Sequence, residues 1–218
     1  MAWKVTLSFS SQCTGRSSSS SDETKGTCYT SSECSGKKGT ADGNCASGFG
    51  VCCTFSVSSC GSSVSENCTY IKNPGYPSTY STTGSCSYSV TPTNTDICQL
   101  RLDLDNFDIT EGTTGTCTDS FGVSVGSERV YKDLCGTLSG QHIYLETARK
   151  TASQTLSFTI ATGGTWRMKV SQIECWNTNK APTDCYQYYT GEYIIVLKLQ
   201  LKFDLLKIDH FSFHKGIS

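Results

Sequence analysis

Fourteen cysteines, at positions 13, 28, 34, 45, 52, 53, 60, 68, 86, 98, 117, 135, 175 and 185, constrain this chain more than its 218-residue length does. An even number at this density is a disulfide framework formed in an oxidising compartment, because cytosolic reductants keep thiols free. Secretion is therefore expected. Zinc is the competing use of cysteine, but it wants paired CxxC or histidine spacings, and none occurs here. Cys52 and Cys53 are adjacent, and neighbouring cysteines strain both the disulfide torsion and the peptide between them. Each must reach elsewhere.

Charge narrows the partners. A net charge of −1 with 17% charged residues provides no basic stripe to neutralise phosphates, which excludes nucleic acid. No apolar run is long enough to span a membrane. A secreted chain should begin with an apolar leader, yet in MAWKVTLSFSSQC the residues Ala2, Trp3, Val5 and Leu7 never join into one. We therefore expect residues 1–12 to be an unassigned, truncated or mistaken start.

Composition divides the rest. Residues 13–53 hold six cysteines and almost no apolar residue beyond Tyr29, Phe49 and Val51, so disulfides must supply what burial does not. Within them, Ser17 to Ser21 form a flexible polar loop. From Cys60 to Cys175 the pattern changes to strands of period two. CSYSV aligns Cys86, Tyr88 and Val90; CQLRLDL aligns Cys98, Leu100, Leu102 and Leu104; FGVSV aligns Phe121, Val123 and Val125; LSFTI aligns Leu156, Phe158 and Ile160. TWRMKV aligns Trp166, Met168 and Val170, then slips by one to bury Ile173, as a bulge would. Turn signals separate these runs, which predicts an all-β antiparallel sandwich preceded by a small disulfide-rich knot. Residues 176–218 are a C-terminal segment whose last 25 residues match nothing upstream and are expected to be a mistaken or truncated end, or an added edge strand.

The stretch CGSSVSENCTYIKNPGYPSTYSTTGSCSYSV resembles the opening of a CUB domain, with Cys60, Pro74 to Pro77, Tyr80, Cys86 and Tyr88 in the family's order. LRLDLDNFDITE, Cys117 with Asp119 before FGVSV, and LCG ending at Gly136 continue the resemblance, which covers about residues 60–175. It implies a jelly-roll-like sandwich and the disulfides Cys60–Cys86 and Cys117–Cys135. Cys68 and Cys98 are extra to that pattern; lying in CTYI and CQLRL, they are assigned to each other. Cys175 and Cys185 remain as a pair closing the loop through NTNKAPT. As a whole the chain resembles secreted arthropod proteins that combine CYTSSEC, GVCC, NPGYP and CQLRLD with a CUB domain.

Residues 13–53 resemble clip domains, disulfide knots with six cysteines ending in an adjacent pair, often as VCC. That resemblance implies Cys13–Cys52, Cys28–Cys45 and Cys34–Cys53. Six cysteines allow fifteen connectivities, and sequence alone does not choose among them.

Calcium-binding CUB domains use a glutamate, an aspartate eight residues on, and a second aspartate after a later strand. Glu111 and Asp119 match the first two, which makes calcium the one cofactor the resemblance implies; at the third place stand Ala161, Thr162 and Gly163. A hard cation wants six to eight oxygens, so two carboxylates make a weak site. The alternative is a solvated acidic loop containing Asp103, Asp105, Asp108, Glu111 and Asp119. If calcium binds, the resemblance implies that the loop receives a lysine or arginine from a partner protein.

Other motifs carry less. Gly122 to Gly126 spells GxSxG, but a nucleophile elbow needs a turn from strand to helix, and these residues continue a strand. His142 and Asp133 complete no coherent triad, so no enzymatic function is expected. His210 and His214 have helical ligand spacing in a tail without further ligands. Asn67-Cys68-Thr69 is a glycosylation sequon if the chain is secreted. Tyr186, Tyr188, Tyr189 and Tyr193 form either an exposed contact surface or a strand packed on the sandwich.

These observations predict a secreted, extracellular, non-catalytic recognition module that binds a protein or glycan partner. The alternatives are a regulatory fragment of a clip and CUB serine protease lacking its catalytic domain, and a structural or defence-related cysteine-rich protein.

Overall fold

The computed structural model describes residues 12–15, 24–147 and 152–189. The cysteine-rich segment forms β1 (Gln12–Gly15), β2 (Thr24–Tyr29), α1 (Ser31–Gly36), β3 (Thr40–Cys45) and β4 (Gly50–Val57). The short helix starts where TSSE permits a capping box: Glu33 N–H donates to Thr30 Oγ1 at 3.3 Å, and Thr30 N–H donates to Glu33 Oε2 at 3.0 Å. The later strands are β5 (Ser63–Val64), β6 (Thr69–Lys72), β7 (Gly84–Val90), β8 (Ile97–Ile109), β9 (Ser120–Val125), β10 (Glu128–Leu134), β11 (Gly136–Thr137), β12 (His142–Glu146), β13 (Gln154–Ile160) and β14 (Gly164–Glu174).

Two sheets result. One runs β1-β2-β4-β6-β14-β8-β11, with β3 also on β4 and β12 also on β8; the other runs β10-β9-β13-β7-β5. The sheets are mixed rather than purely antiparallel, since β4 pairs β6 and β5 pairs β7 in parallel. The knot and the sandwich share a sheet: β4 carries Cys52 and Cys53 at one end and, at the other, sets Phe55 to Val57 beside Thr69 to Ile71.

Successive residues on a strand face opposite sides, which decides where the adjacent cysteines go. Cys52 bonds Cys13 on β1, and Cys53 bonds Cys34 on α1, while Cys28 bonds Cys45 across the same small sheet. All six of these residues stay within the knot. Cys60–Cys86, Cys117–Cys135 and Cys98–Cys175 staple the sandwich.

The assignments Cys68–Cys98 and Cys175–Cys185 are corrected by the last of these bonds. β14 lies between β6 and β8, so Cys68 and the start of β8 are separated by two strand spacings, or about 10 Å. That exceeds disulfide reach. Antiparallel pairing of β8 with β14 instead brings Cys98 and Cys175 to a Cα separation of 4.8 Å. Cys68 and Cys185 are left as thiols, the first buried and the second partly so.

The inward rows meet between the sheets. Cys86, Tyr88, Val90, Leu100, Leu102, Leu104, Phe121, Val123, Leu156, Phe158, Ile160, Trp166, Met168 and Val170 share one core. Trp166 stacks on Phe158 with ring centroids 3.9 Å apart and planes 9° apart. Asn73 is buried beside this core and ties down the NPGYP turn, its Nδ2 donating to the carbonyls of Pro74 and Ser78 and its Oδ1 accepting from Trp166 N–H.

The expected slip before Ile173 is not present. Register runs unbroken from Met168 to Ile173, so Ile173 faces away from the core, where Tyr144 and Ala181 bury it. Two irregularities fall on β8 instead: Arg167 pairs Asn106 and Met168 pairs Leu104, leaving Asp105 as the extra residue, and just past Ile173, which pairs Gln99, Glu174 pairs Ile97, leaving Cys98 extra. The bulge at Asp105 lets Leu102 and Leu104 face inward before it and Phe107 and Ile109 after it.

Candidate functional site

The acidic loop between β8 and β9 turns tightly before it reaches Asp119. Gly112 N–H donates to Thr116 O at 2.7 Å, Glu111 bridges Cys117, and Cys117 is bonded to Cys135. Glu111 is exposed, and its carboxylate lies over Gly136, whose φ of +90° and lack of a Cβ make room for it. Asp119 is completely buried. Its Oδ1 accepts from the N–H groups of Ala161 at 2.5 Å and Thr162 at 2.9 Å; its Oδ2 accepts from Thr162 Oγ1 at 2.6 Å and Gly163 N–H at 2.8 Å. Burial alone would raise the pKa of this group, but the Thr162 hydroxyl and the three backbone donors outweigh it. They hold the carboxyl well below the usual carboxylate range.

Those four donors test the calcium expectation. An ionised carboxylate offers about four lone-pair positions, and here each oxygen already accepts twice. The residues where a third carboxylate is expected, Ala161 to Gly163, supply donors instead. Among the described residues no group of three or more His, Cys, Asp or Glu side chains converges to hold a metal ion. The residues present do not fit a calcium site built on Glu111 and Asp119.

The other acidic residues do not join this loop. Asp103 lies on β8 between Arg101 Nε at 2.7 Å and Lys169 Nζ at 3.1 Å; Asp105 is 3.7 Å from Arg167; Asp108 accepts from Thr137 Oγ1 at 3.1 Å. The acidic run is thus a strand whose outward carboxylates are paired across the sheet.

After β14 the chain turns back and lies against β8 and β12 as a strap over residues 176–189. Gln99 binds Ala181, Tyr144 N–H donates to Tyr186 O at 2.9 Å, and the His142 ring lies 3.0 Å from Tyr188 O. Burial and the Arg101 charge push the His142 imidazole below its ordinary value. Tyr188 packs with Tyr144 and Ile173, as a covering strand would. Tyr186 and Tyr189, in contrast, are 44% and 62% exposed. Both are held: Tyr186 stands edge-on to Tyr131 at 5.0 Å, and Tyr189 packs on His142 at 4.6 Å while its hydroxyl donates to Gln141 Oε1 at 2.9 Å. Val130 on β10 is exposed near by in sequence to Tyr131. Tyr193 lies outside the described residues, as do Ser17 to Ser21, His210 and His214.

The remaining candidates take structural places. Ser124 sits within β9, paired with Thr155 of β13, so Gly122 to Gly126 forms strand and not elbow. Asn67 is exposed, and its Oδ1 accepts from the N–H groups of Cys68 at 2.9 Å and Gln172 at 2.8 Å. No helix among the described residues is long and apolar enough to cross a membrane.

Comparison with known proteins places these observations. The family model of the CUB domain matches residues 60–168. No curated protein matches the sequence. Among solved structures, the MASP-1 CUB2 domain bound to Ca2+ aligns at 23% identity over 51% of this chain and 98% of its own, with a TM-score of 0.42. The CUB1-EGF-CUB2 domains of human MASP-1/3 align at 20% identity over 56% of this chain and 44% of theirs, with a TM-score of 0.44. Those of rat MASP-1 align at 22% identity over 55% of this chain and 42% of theirs, with a TM-score of 0.43. This chain therefore spans nearly all of the single-domain structure and under half of the two longer ones.

Proposed function

The chain belongs to the CUB domain family, and on that premise we propose that it is a secreted, non-catalytic recognition protein whose partner is another extracellular protein. The observation that carries this reading is the pair of exposed, immobilised tyrosines, Tyr186 and Tyr189, on the strapped edge of the sandwich. Tyrosine supplies a large amphipathic contact area at low entropic cost, and a ring already held in place loses little freedom on binding. The six disulfides keep the frame under that edge rigid in an oxidising environment.

Within this reading, residues 13–53 are a clip-like module, residues 60–175 the CUB domain, and residues 176–189 a strap that finishes the binding edge. Asn67 carries a glycan. Its amide orientation is set by two N–H donors that only the oxygen can accept, so Nδ2 is the atom left for attachment. Cys68, inside the sequon, forms no disulfide that would close it.

The test is binding of the purified full chain to a panel of purified extracellular proteins and to a glycan array. Saturable binding to a protein that falls at least tenfold in the Tyr186→Ser/Tyr189→Ser double variant, and is unchanged in Phe49→Ser, supports the reading. Binding to glycans alone, or protein binding indifferent to the tyrosine pair, overturns it.

A further inference from the structure

We propose that the loop end of this sandwich is closed by the hydrogen bonds of Asp119 and needs no calcium to hold its shape. Two loops meet there. One, between β8 and β9, brings Asp119; the other, between β13 and β14, brings the backbone of Ala161 to Gly163. Asp119 accepts four hydrogen bonds from the second loop, and its own N–H donates to Thr110 O at 3.0 Å. Thr110 Oγ1 in turn donates to Gly163 O at 2.8 Å, so the stitching runs in both directions. The far side of the same turn is fixed by Tyr80 and Gly164, which exchange N–H to carbonyl bonds at 2.9 and 3.0 Å.

The arrangement is the chemical inverse of a cation site. Successive backbone N–H groups converge on a buried internal anion, as they do in turns that bind free anions. A calcium ion claiming either Asp119 oxygen would strip donors from it; on Oδ2 it would leave the buried Gly163 N–H unpaired, at the cost of an unsatisfied buried donor. Nor do the described residues bring a second carboxylate to Asp119 at this turn: Glu111 rests over Gly136, and the β8 carboxylates are paired along the strand. Thr162 is the residue that completes the anion cradle, because its hydroxyl and its N–H both reach Asp119.

The inference does not rest on the tyrosine edge, which is built from other elements. It is tested on the full chain by thermal melting in EDTA and in millimolar calcium chloride, with calorimetric titration of calcium into EDTA-treated, dialysed protein. The native protein is expected to melt at the same temperature in both and to give no saturable heat. Asp119→Asn and Thr162→Val are expected to lower the melting temperature by the same amount with and without calcium. A calcium-dependent rise in melting temperature, saturable heat at millimolar ion, or native-like melting of both variants overturns the proposal. If Asp119→Asn fails to fold, Thr162→Val and the native titration still decide, since the former keeps three of the four bonds.

Discussion

The side-chain amide of Gln99 closes two hydrogen bonds with the backbone of Ala181, Nε2 donating to the carbonyl at 3.0 Å and Oε1 accepting from the N–H at 2.9 Å. Both residues are buried. Gln99 faces outward from the sandwich core, so a glutamine that reads as surface is in fact the clasp of the strap. Gln99→Leu removes both bonds together with the 2.6 Å bond from Nε2 to Glu146 Oε1, and is expected to cost about 3 kcal/mol, at roughly 1 kcal/mol for each. Lys180, next to the clasp, should then become a trypsin site, cleaved roughly tenfold faster or more than in the native protein. Unchanged cleavage would mean that the strap is held elsewhere.

The bond Cys98–Cys175 closes a loop across 77 residues of sequence separation. By chain entropy, a loop of that length is worth about 4 to 5 kcal/mol. The double variant Cys98→Ser/Cys175→Ser should therefore lose far more stability than Cys68→Ser, whose thiol has no disulfide partner. Peptide mapping of unreduced protein checks the pairing directly: peptides with Cys68 and Cys185 should take up an alkylating reagent after unfolding, and those with Cys98 and Cys175 should stay joined.

Much of the sandwich is legible in its alternation, because a sheet buried on one face imposes period two on whatever lies there. Leu100, Leu102 and Leu104 read correctly for that reason, as do Leu156, Phe158 and Ile160. The bulge at Asp105 was missed and a bulge before Ile173 was expected instead, since an apolar residue off the core face looks like a slip when its cover is unknown. The cover is Ala181, in a stretch with no strand pattern. Disulfides between strands that become neighbours only through topology, Cys98 with Cys175, were illegible for the same reason. At the loop end, the resemblance to calcium-binding CUB domains singles out Glu111 and Asp119, but a matching pattern does not say whether a carboxylate faces a cation or a ring of N–H groups. Only the path of the β13–β14 turn does. The capping box of α1 is local and therefore readable as TSSE.

The geometry at Asn67 gives a modification with a mass to measure. Expression of the full chain in a secretory host is expected to yield a species that an amidase specific for N-linked glycans converts to lower mass. Asn67→Gln and Thr69→Ala should each abolish that shift. A secreted product of unmodified mass would dismiss the glycan without touching the fold.

The strap should loosen in acid. The His142 ring is buried against Tyr188 and Tyr189, and burial first, then the Arg101 charge, push its proton affinity below the ordinary value of 6.5; the Tyr188 backbone and Asp103 oppose this in part. The unfolded chain therefore binds the proton more readily than the folded one. Stability from this group is full above about pH 6.5 and is lost as pH falls through that value toward the lower folded one. Asp119 has the opposite origin but the same sign, because its depressed value makes its contribution complete well above 3.8 and lost only below it. The two are separable by window. Melting temperature between pH 7.5 and 5 should fall in the native protein and stay nearly level in His142→Gln, while hydrogen exchange at the Tyr188 amide, which donates to the ring at 3.3 Å, should quicken over the same range only in the native chain. Equal pH profiles for the two proteins would remove His142 as the cause.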